Sequence, residues 1–410
     1  MRRTFFPLAL LAAFLLLCGS AWAQLVLGQY EDEAPLGTWN IFGSLPAPSL
    51  GLGGTQFART WDCSASLANP ALLLALPRLS ASLSASFAAA SMFRYSLINT
   101  GVVESVGNPV VGVLGADGGG LAIHRGPWAL AVVAAALESY VRPSIAVGEA
   151  GYRLTFDQTG YLRVFNGGIA RRLPAGLSLG LGLNYATGRL DRATVERSGN
   201  LLQTVTITDD KAETFQGFFV NAGLAWEATS RLTAGLAVRS PYVKKGTGRS
   251  LLHYEVPGAG TDIRIDAEAV NSYRQPWVLG AGVSYRHSAS WSFAADAAFY
   301  GWSGYRVTYF DEPLERPFRD VLKAGAGVEY LAPATMFGES ARIPFRLGLV
   351  VDPQPMSTVH STYRALTFGT GLSLRSLAID VSAFIGRERG SGDSLKTGKI
   401  VLSVRYVFQE

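Results

Sequence analysis

From residue 377 to the C-terminus, apolar residues recur at every second position, and this period returns in segment after segment as the chain is followed backwards. Ile400, Leu402, Val404, Tyr406 and Phe408 fall on one face, with Lys399, Ser403 and Arg405 on the other. Leu377, Ile379, Val381, Ala383 and Ile385 oppose Asp380 and Ser382, although Phe384 breaks the polar face. Phe345 to Val351, Trp277 to Tyr285 and Leu177 to Tyr185 repeat the pattern. A period of two belongs to the β-strand, and segments of about ten residues with one apolar face are the mark of a transmembrane β-barrel. A soluble sandwich shares the period, so alternation alone does not separate the two. Two details favour the membrane. The polar face is rich in Gly and Ser, as a crowded lumen requires, and Trp128, Trp226, Trp291 and Trp302 stand at strand ends, where an aromatic girdle would lie. Tyr406 and Phe408 supply the aromatic ending usual in such barrels, with Gln409 and Glu410 extending past it.

The N-terminus sets the compartment. Arg2 and Arg3 precede an apolar run from Phe5 to Leu17, and Ala21-Trp22-Ala23 is a small-x-small cleavage site that would leave Gln24 first. The run is too short for a permanent membrane helix, which needs roughly 20 residues. Cys18 as a lipidated residue is disfavoured by Leu17 before it, where a small residue is usual. The mature chain keeps one cysteine, Cys63, so no internal disulfide forms. His124, His253, His287 and His360 show no ligand spacing, and neither a metal nor another cofactor is expected. Charged residues make up 16% of the chain, against about 25% in ordinary soluble domains. The formal charge of +5 becomes +3 once Arg2 and Arg3 are removed, too mild for nucleic-acid binding. No mature segment holds a continuous apolar stretch of membrane-helix length. An exported, hydrophobic chain without such helices points to the closed barrel of the bacterial outer membrane.

The turns can be counted. Short ones lie at Arg125-Gly126-Pro127, Leu173 to Gly176, Ala228 to Ser230, His287 to Ala289 and Arg375-Ser376, with a longer one from Ala332 to Ile343. Six turns on one side, with both chain ends there, require seven hairpins and hence about fourteen antiparallel strands over residues 79–410. Strand centres are expected near residues 86, 121, 134, 166, 182, 220, 236, 281, 296, 326, 347, 369, 382 and 402. Stretches 190–211 and 243–272 are read as ribbons rising above the membrane, since short periplasmic turns and long extracellular loops are the rule.

Residues 24–78 do not fit the barrel. They are rich in Pro, Gly and Ser without a period, yet Trp39, Phe42, Phe57 and Trp61 argue for packing, so an N-terminal hatch plugging the lumen is the preferred reading over a disordered arm. Within this stretch Gly51-Leu52-Gly53-Gly54-Thr55-Gln56-Phe57-Ala58, then Asp62, then Asn69-Pro70-Ala71 lead into the first strand. By itself Asn69-Pro70 is ordinary turn chemistry. In this position the stretch resembles the hatch of the FadL/TodX family of outer-membrane transporters for long-chain fatty acids and hydrophobic compounds. Arg274 to Trp277, Trp291 to Ser303, Phe318 to Tyr330 and Asp352 to Pro355 agree in order and spacing with the second half of that family. The resemblance implies passive uptake of a hydrophobic ligand by a monomer among lipid and lipopolysaccharide, with a hatch that shifts. It also implies a kinked third strand opening the wall sideways. Here that strand, Trp128 to Tyr140, has no interior Gly or Pro to mark a bulge, so the lateral gate is not located.

No catalytic constellation emerges, since the histidines are scattered and no nucleophile is paired with one; no enzyme activity is expected. By parity Arg239, Asp296, Lys323, Glu329, Arg346, Asp380 and Arg405 point into the lumen. Mutual neutralisation is the default reading. The sharper one has Lys323, Arg346 or Arg405 attracting a ligand carboxylate, whose charge is costly to strip of water unless paired. A non-selective pore, or an adhesive barrel acting through its loops, stays open as an alternative.

Overall fold

A strand crossing a bilayer must satisfy its backbone hydrogen bonds against neighbours on both sides, and only a closed sheet does so without an edge. In the computed structural model the alternating segments meet this demand. It describes residues 45–91, 95–96, 103–104, 110–140, 142–149, 152–199, 204–309, 312–314, 318–336, 338–355, 357, 360–390 and 396–408. The signal-peptide segment 1–23, Trp39, Phe42 and the rest of 24–44, and the final Gln409-Glu410 lie outside the described residues.

The wall strands are β1 (Leu79–Ser91), β2 (Val110–Arg125), β3 (Trp128–Ser139, continued by Arg142–Glu149), β4 (Tyr152–Arg172), β5 (Leu177–Gly199) and β6 (Thr204–Glu227). They continue as β7 (Leu232–Arg239 and Tyr242–Val256), β8 (Thr261–Gln275 and Val278–Arg286), β9 (Trp291–Tyr300 and Arg306–Tyr309) and β10 (Val321–Met336). The last are β11 (Glu339–Pro353), β12 (Thr362–Ser373), β13 (Leu377–Arg389) and β14 (Lys396–Val407). Each pairs antiparallel with the next, and β14 pairs with β1 from Val407↔Ser80 to Lys396↔Ser91, closing a fourteen-stranded barrel. All fourteen expected centres lie within these strands.

The distribution of side chains separates this barrel from a sandwich. Leu179, Leu181 and Leu183 are exposed on the outside, while Ser178 and Asn184 of the same strand are buried. A soluble sheet would put the apolar row inside. Here it faces out, where only hydrocarbon would cover it. Trp128, Trp226 and Trp291 are exposed at the short-turn end, as a girdle requires. Trp302 is a correction: it sits in a 3₁₀ turn that folds inward and is 4% exposed, packed on Tyr305 and Phe318.

The connection expected as a longer turn from Ala332 to Ile343 is also corrected. β10 and β11 remain paired through Ala332↔Ile343 out to Met336↔Glu339. The ribbons are present: β5 pairs with β6 out to Gly199↔Thr204, and β7 with β8 out to Val256↔Thr261. With 23 residues, β5 rises roughly 55 Å at the usual tilt, about twice the apolar band. β9 begins with a segment of only 10 residues, so the wall is tall on one side and low on the other.

Candidate functional site

Residues 45–78 lie inside the barrel. Helix α1 (Ala47–Gly51), helix α2 (Ala65–Ala68) and a 3₁₀ turn (Pro70–Ala75) are each too short to be stable alone, and their packing is supplied by the wall. The Ala47 amide donates to Ser403 Oγ of β14 at 2.8 Å, and Gly53 donates to Thr367 Oγ1 of β12 at 3.1 Å. On β9, one Asp296 carboxylate oxygen accepts the Phe57 amide at 2.8 Å and the Gln56 amide as well. Asn221 of β6 donates to the carbonyls of Ser66 and Leu67. The segment thus spans the lumen and touches opposite walls.

The glycines on inward positions have a physical reason. A Cβ at Gly180 would strike Ala71, one at Gly223 would strike Asn69, and one at Gly235 would strike the Phe57 carbonyl. The wall is hollowed where the inner segment's backbone passes. Gly53 has φ +71°, and a Cβ there would lie 2.5 Å from the Ala326 carbonyl oxygen and 2.6 Å from that of Leu349. Gly53→Ala is therefore expected to weaken the seating of residues 45–78 by about 2 kcal/mol. Faster proteolysis of this segment in an otherwise folded barrel is the readout, and unchanged protection would refute it.

The four motif residues play distinct parts. Asn69 is fully buried; its Nδ2 donates to the carbonyls of Phe57 (2.6 Å) and Leu224 (3.1 Å), and its Oδ1 accepts from the Ala71 amide (3.2 Å). Pro70 opens the 3₁₀ turn, where its missing N–H costs nothing, and Ala71 faces Gly180. Asp62 is buried and accepts the amide and hydroxyl of Ser64 at 2.9 and 2.5 Å, while burial raises its carboxyl above the usual range. Next to it, burial pushes the Cys63 thiol up, leaving it unreactive beside Ser82 Oγ.

The inward charges all have partners. Lys323 Nζ lies 2.7 Å from Asp352, and Arg346 bridges Glu329 and Asp380 at 2.7 Å each. Arg59, from the inner segment, joins the same Glu329. Arg405 donates to the Trp61 carbonyl at 2.6 Å. Arg239 and Asp296 also point inward and are buried. This geometry ties inner segment to wall.

The third strand departs from expectation. Opposite β4 its register steps from Ala136↔Arg163 to Glu138↔Leu162, leaving Leu137 as an extra residue with neither Gly nor Pro to announce it. β2 has its own extra residue at nearly the same height: Ser84↔Gly118 is followed by Ala85↔Ala116, and Asp117 is bulged. The β2–β3 ladder ends at Gly118↔Ala135. Beyond it, described residues of β2 pair with β1 and those of β3 with β4, so the wall is interrupted between them. Two buried carboxylates draw the strands apart. Asp117 accepts from Ser86 and pairs with Lys399 of β14 at 2.9 Å. Glu138 accepts the Tyr140 hydroxyl at 2.7 Å and lies 3.9 Å from Lys244 of β7.

Above the inner segment the lumen is crossed by aromatic side chains. Tyr140, Phe215, Tyr273, Tyr242, Tyr300, Trp302 and Tyr305 are all buried. Lys244 Nζ lies 4.6 to 5.0 Å from the ring centres of Tyr140, Phe215 and Tyr273, and donates to the Tyr140 hydroxyl at 2.7 Å. Tyr273 donates to Glu213, which also accepts from Asn271. The sequence offered no signal for this layer, whose members come from four strands and two connections. Among the described residues no group of His, Cys, Asp or Glu could hold a metal.

A family model described as BamG matches residues 147–394. No curated protein matches the chain. Among solved structures, the toluene transporter TodX of Pseudomonas putida aligns with TM-score 0.67 at 15% identity, covering 90% of this chain and 100% of its own. The Ralstonia pickettii toluene transporter TbuX aligns with TM-score 0.63 at 16% identity, covering 91% and 100%. A Pseudomonas aeruginosa FadL homologue aligns with TM-score 0.64 at 15% identity, covering 90% and 100%. At these identities the likeness is one of fold: an outer-membrane barrel of the FadL and TodX type. With more than half of its length matched by one family model, the chain belongs to the BamG family.

Proposed function

We propose that this barrel takes up hydrophobic small molecules across the outer membrane by passive diffusion, with residues 24–78 as the hatch. The observation that carries this reading is a pairing of two features. The inner segment lies across the straight path, and the only end of the β2–β3 ladder short of a turn lies above it, at Gly118↔Ala135. A ligand admitted among the aromatic rings would leave sideways through the interruption, into hydrocarbon that suits it. The structural neighbours named as toluene transporters support an apolar cargo, and the FadL homologue supports a fatty acid as the other candidate. Arg346 and Arg405 are assigned to seating the hatch. Lys323, beside Tyr300 at 5.0 Å, is the cation of the three that adjoins the aromatic layer, and a ligand carboxylate is assigned to it. No step in this passage needs catalysis or a cofactor, and one monomer holds the whole path.

The test is uptake of a radiolabelled long-chain fatty acid and of toluene in a deletion strain and its complement. Restored uptake of either by the complement is expected. Equal uptake of both with and without the barrel would overturn the proposal.

A further inference from the structure

Past Leu137 the main chain of β3 belongs with β4. The Tyr140 amide donates to the Gly160 carbonyl at 3.1 Å, and Gln158 Nε2 donates to the Tyr140 carbonyl at 2.9 Å. The side chains of Glu138 and Tyr140 reach further. Tyr140 donates to Glu138 and accepts from Lys244, each at 2.7 Å, while Lys244 Nζ lies 3.9 Å from the Glu138 carboxylate. Lys244 stands on β7, with three strands between it and β3. That separation is roughly 19 Å around the wall at the usual strand spacing. A direct hydrogen bond over such a distance is made across the lumen rather than along the sheet.

Lys244 is itself firmly seated. Phe215 of β6 and Tyr273 of β8 flank it, with ring centres 4.6 and 5.0 Å from Nζ and 5.8 Å from each other. Tyr140 packs on Phe215 with ring centres 5.5 Å apart. All four side chains are fully buried. A lysine removed from water is costly unless its charge is answered, and an unbranched apolar residue of similar length would fill the space without that cost. What the ammonium adds is direction, since it ties a hydroxyl and a carboxylate of β3 to one point on β7. On the other side of the interruption, Asp117 of β2 is tied to Lys399 of β14 at 2.9 Å.

We infer that Lys244 is a positioning residue for lateral release: by holding Tyr140 and Glu138 it keeps β3 bent away from β2, and so keeps the interruption above Gly118↔Ala135 open. This rests on the uptake reading above and adds to it the side chain that sets the width of the exit. Lys244 acts through the lip of the opening and has no need to touch the cargo. Without it, β3 is free to continue along the line of its lower half and to pair with β2. Asp117 and Leu137 are both extra residues, so Ala136 would then come opposite Ala116.

The experiment compares the full-length barrel with K244M, E138Q and K244M/E138Q in three measurements. Uptake of radiolabelled toluene and fatty acid reads release, and single-channel conductance reads the straight path. A cysteine pair, A116C/A136C in a C63S background, reads the lip itself, because a disulfide forms only when the two Cα atoms come within about 7 Å. K244M should lower uptake about tenfold, the factor expected when a hydrogen bond to a charged group is lost. Its conductance should stay at the wild-type level, and the 116–136 disulfide should form in it but not with Lys244 present. E138Q should act in the same direction, and K244M/E138Q should lose no more than K244M, since both residues work through one contact. If K244M fails to assemble because Glu138 is left unpaired, the double variant, which carries neither charge, gives the same reading. Wild-type uptake without the disulfide in folded K244M/E138Q, fully additive losses, a disulfide that forms equally with Lys244 present, or a rise in conductance would each overturn the inference. Absence of uptake by the wild type would sink the transport reading instead, and the disulfide would still decide whether Lys244 holds the lip.

Discussion

Asp296→Ala is expected to make the barrel leak. The carboxylate stands on β9, 5% exposed, and one oxygen accepts the amides of both Gln56 and Phe57. These are the main-chain bonds that hold the middle of the inner segment to the wall at that side. Removing it leaves two buried N–H groups without their acceptor, at about 1–3 kcal/mol each. The loss of roughly 2–6 kcal/mol is large against what α1, α2 and the 3₁₀ turn hold by themselves. Phe57 then loses its hold in the hollow made by Gly280 and Gly282. Single-channel recording in planar bilayers should show a conductance several-fold above that of the wild type. Asp296→Asn, which keeps one acceptor oxygen and replaces the other by an NH2 group, should fall between them. Heat-modifiable migration on a gel checks that the barrel itself has formed. A folded Asp296→Ala barrel with unchanged conductance would show that residues 45–78 close the lumen without this anchor, or do not close it.

The contrast between what could and could not be read from the sequence follows from the range of each interaction. Strand faces depend on neighbours two residues apart, so Leu177 to Tyr185 and Ile400 to Phe408 declare their orientation locally. The inward glycines were legible as a crowded lumen. Which backbone crowds it was not, since Gly180 meets Ala71 and Gly223 meets Asn69 only after the barrel has closed. Asn69 and Asp62 could be singled out by resemblance, whereas Asp296 gave no local sign that it would hold Gln56 and Phe57 from 240 positions away. Trp302 looked like a girdle residue because it follows a strand, and the turn at Trp302–Gly304 carries it inward. The extra residue at Leu137 was hidden for a related reason. A bulge is set by register with β4, and neither Gly nor Pro is needed when alanine neighbours leave room.

That bulge supports the second large effect. Deleting Leu137 is expected to reduce uptake of the hydrophobic ligand to the level of a strain lacking the barrel. The deletion removes the extra residue at this point of the β3–β4 ladder, and it leaves Glu138 opposite Leu162 and Ser139 opposite Tyr161. The inward face of the strand is therefore preserved, since Leu162 is fully buried and Glu138 stays on its side. What changes is the path of β3, which no longer bends away from β2 and can extend its ladder past Gly118↔Ala135. Asp117 remains bulged on β2 and held by Lys399, so deleting Asp117 as well should close the wall more completely. Ion conductance should stay at the wild-type level in both deletions, because residues 45–78 are untouched. This separates the lateral path from the straight one: Asp296→Ala should raise conductance, and loss of Leu137 should abolish uptake alone. Full uptake by a correctly folded Leu137 deletion would mean that the ligand does not leave between β2 and β3. A rise in its conductance would mean instead that the bulge helps to seat the inner segment.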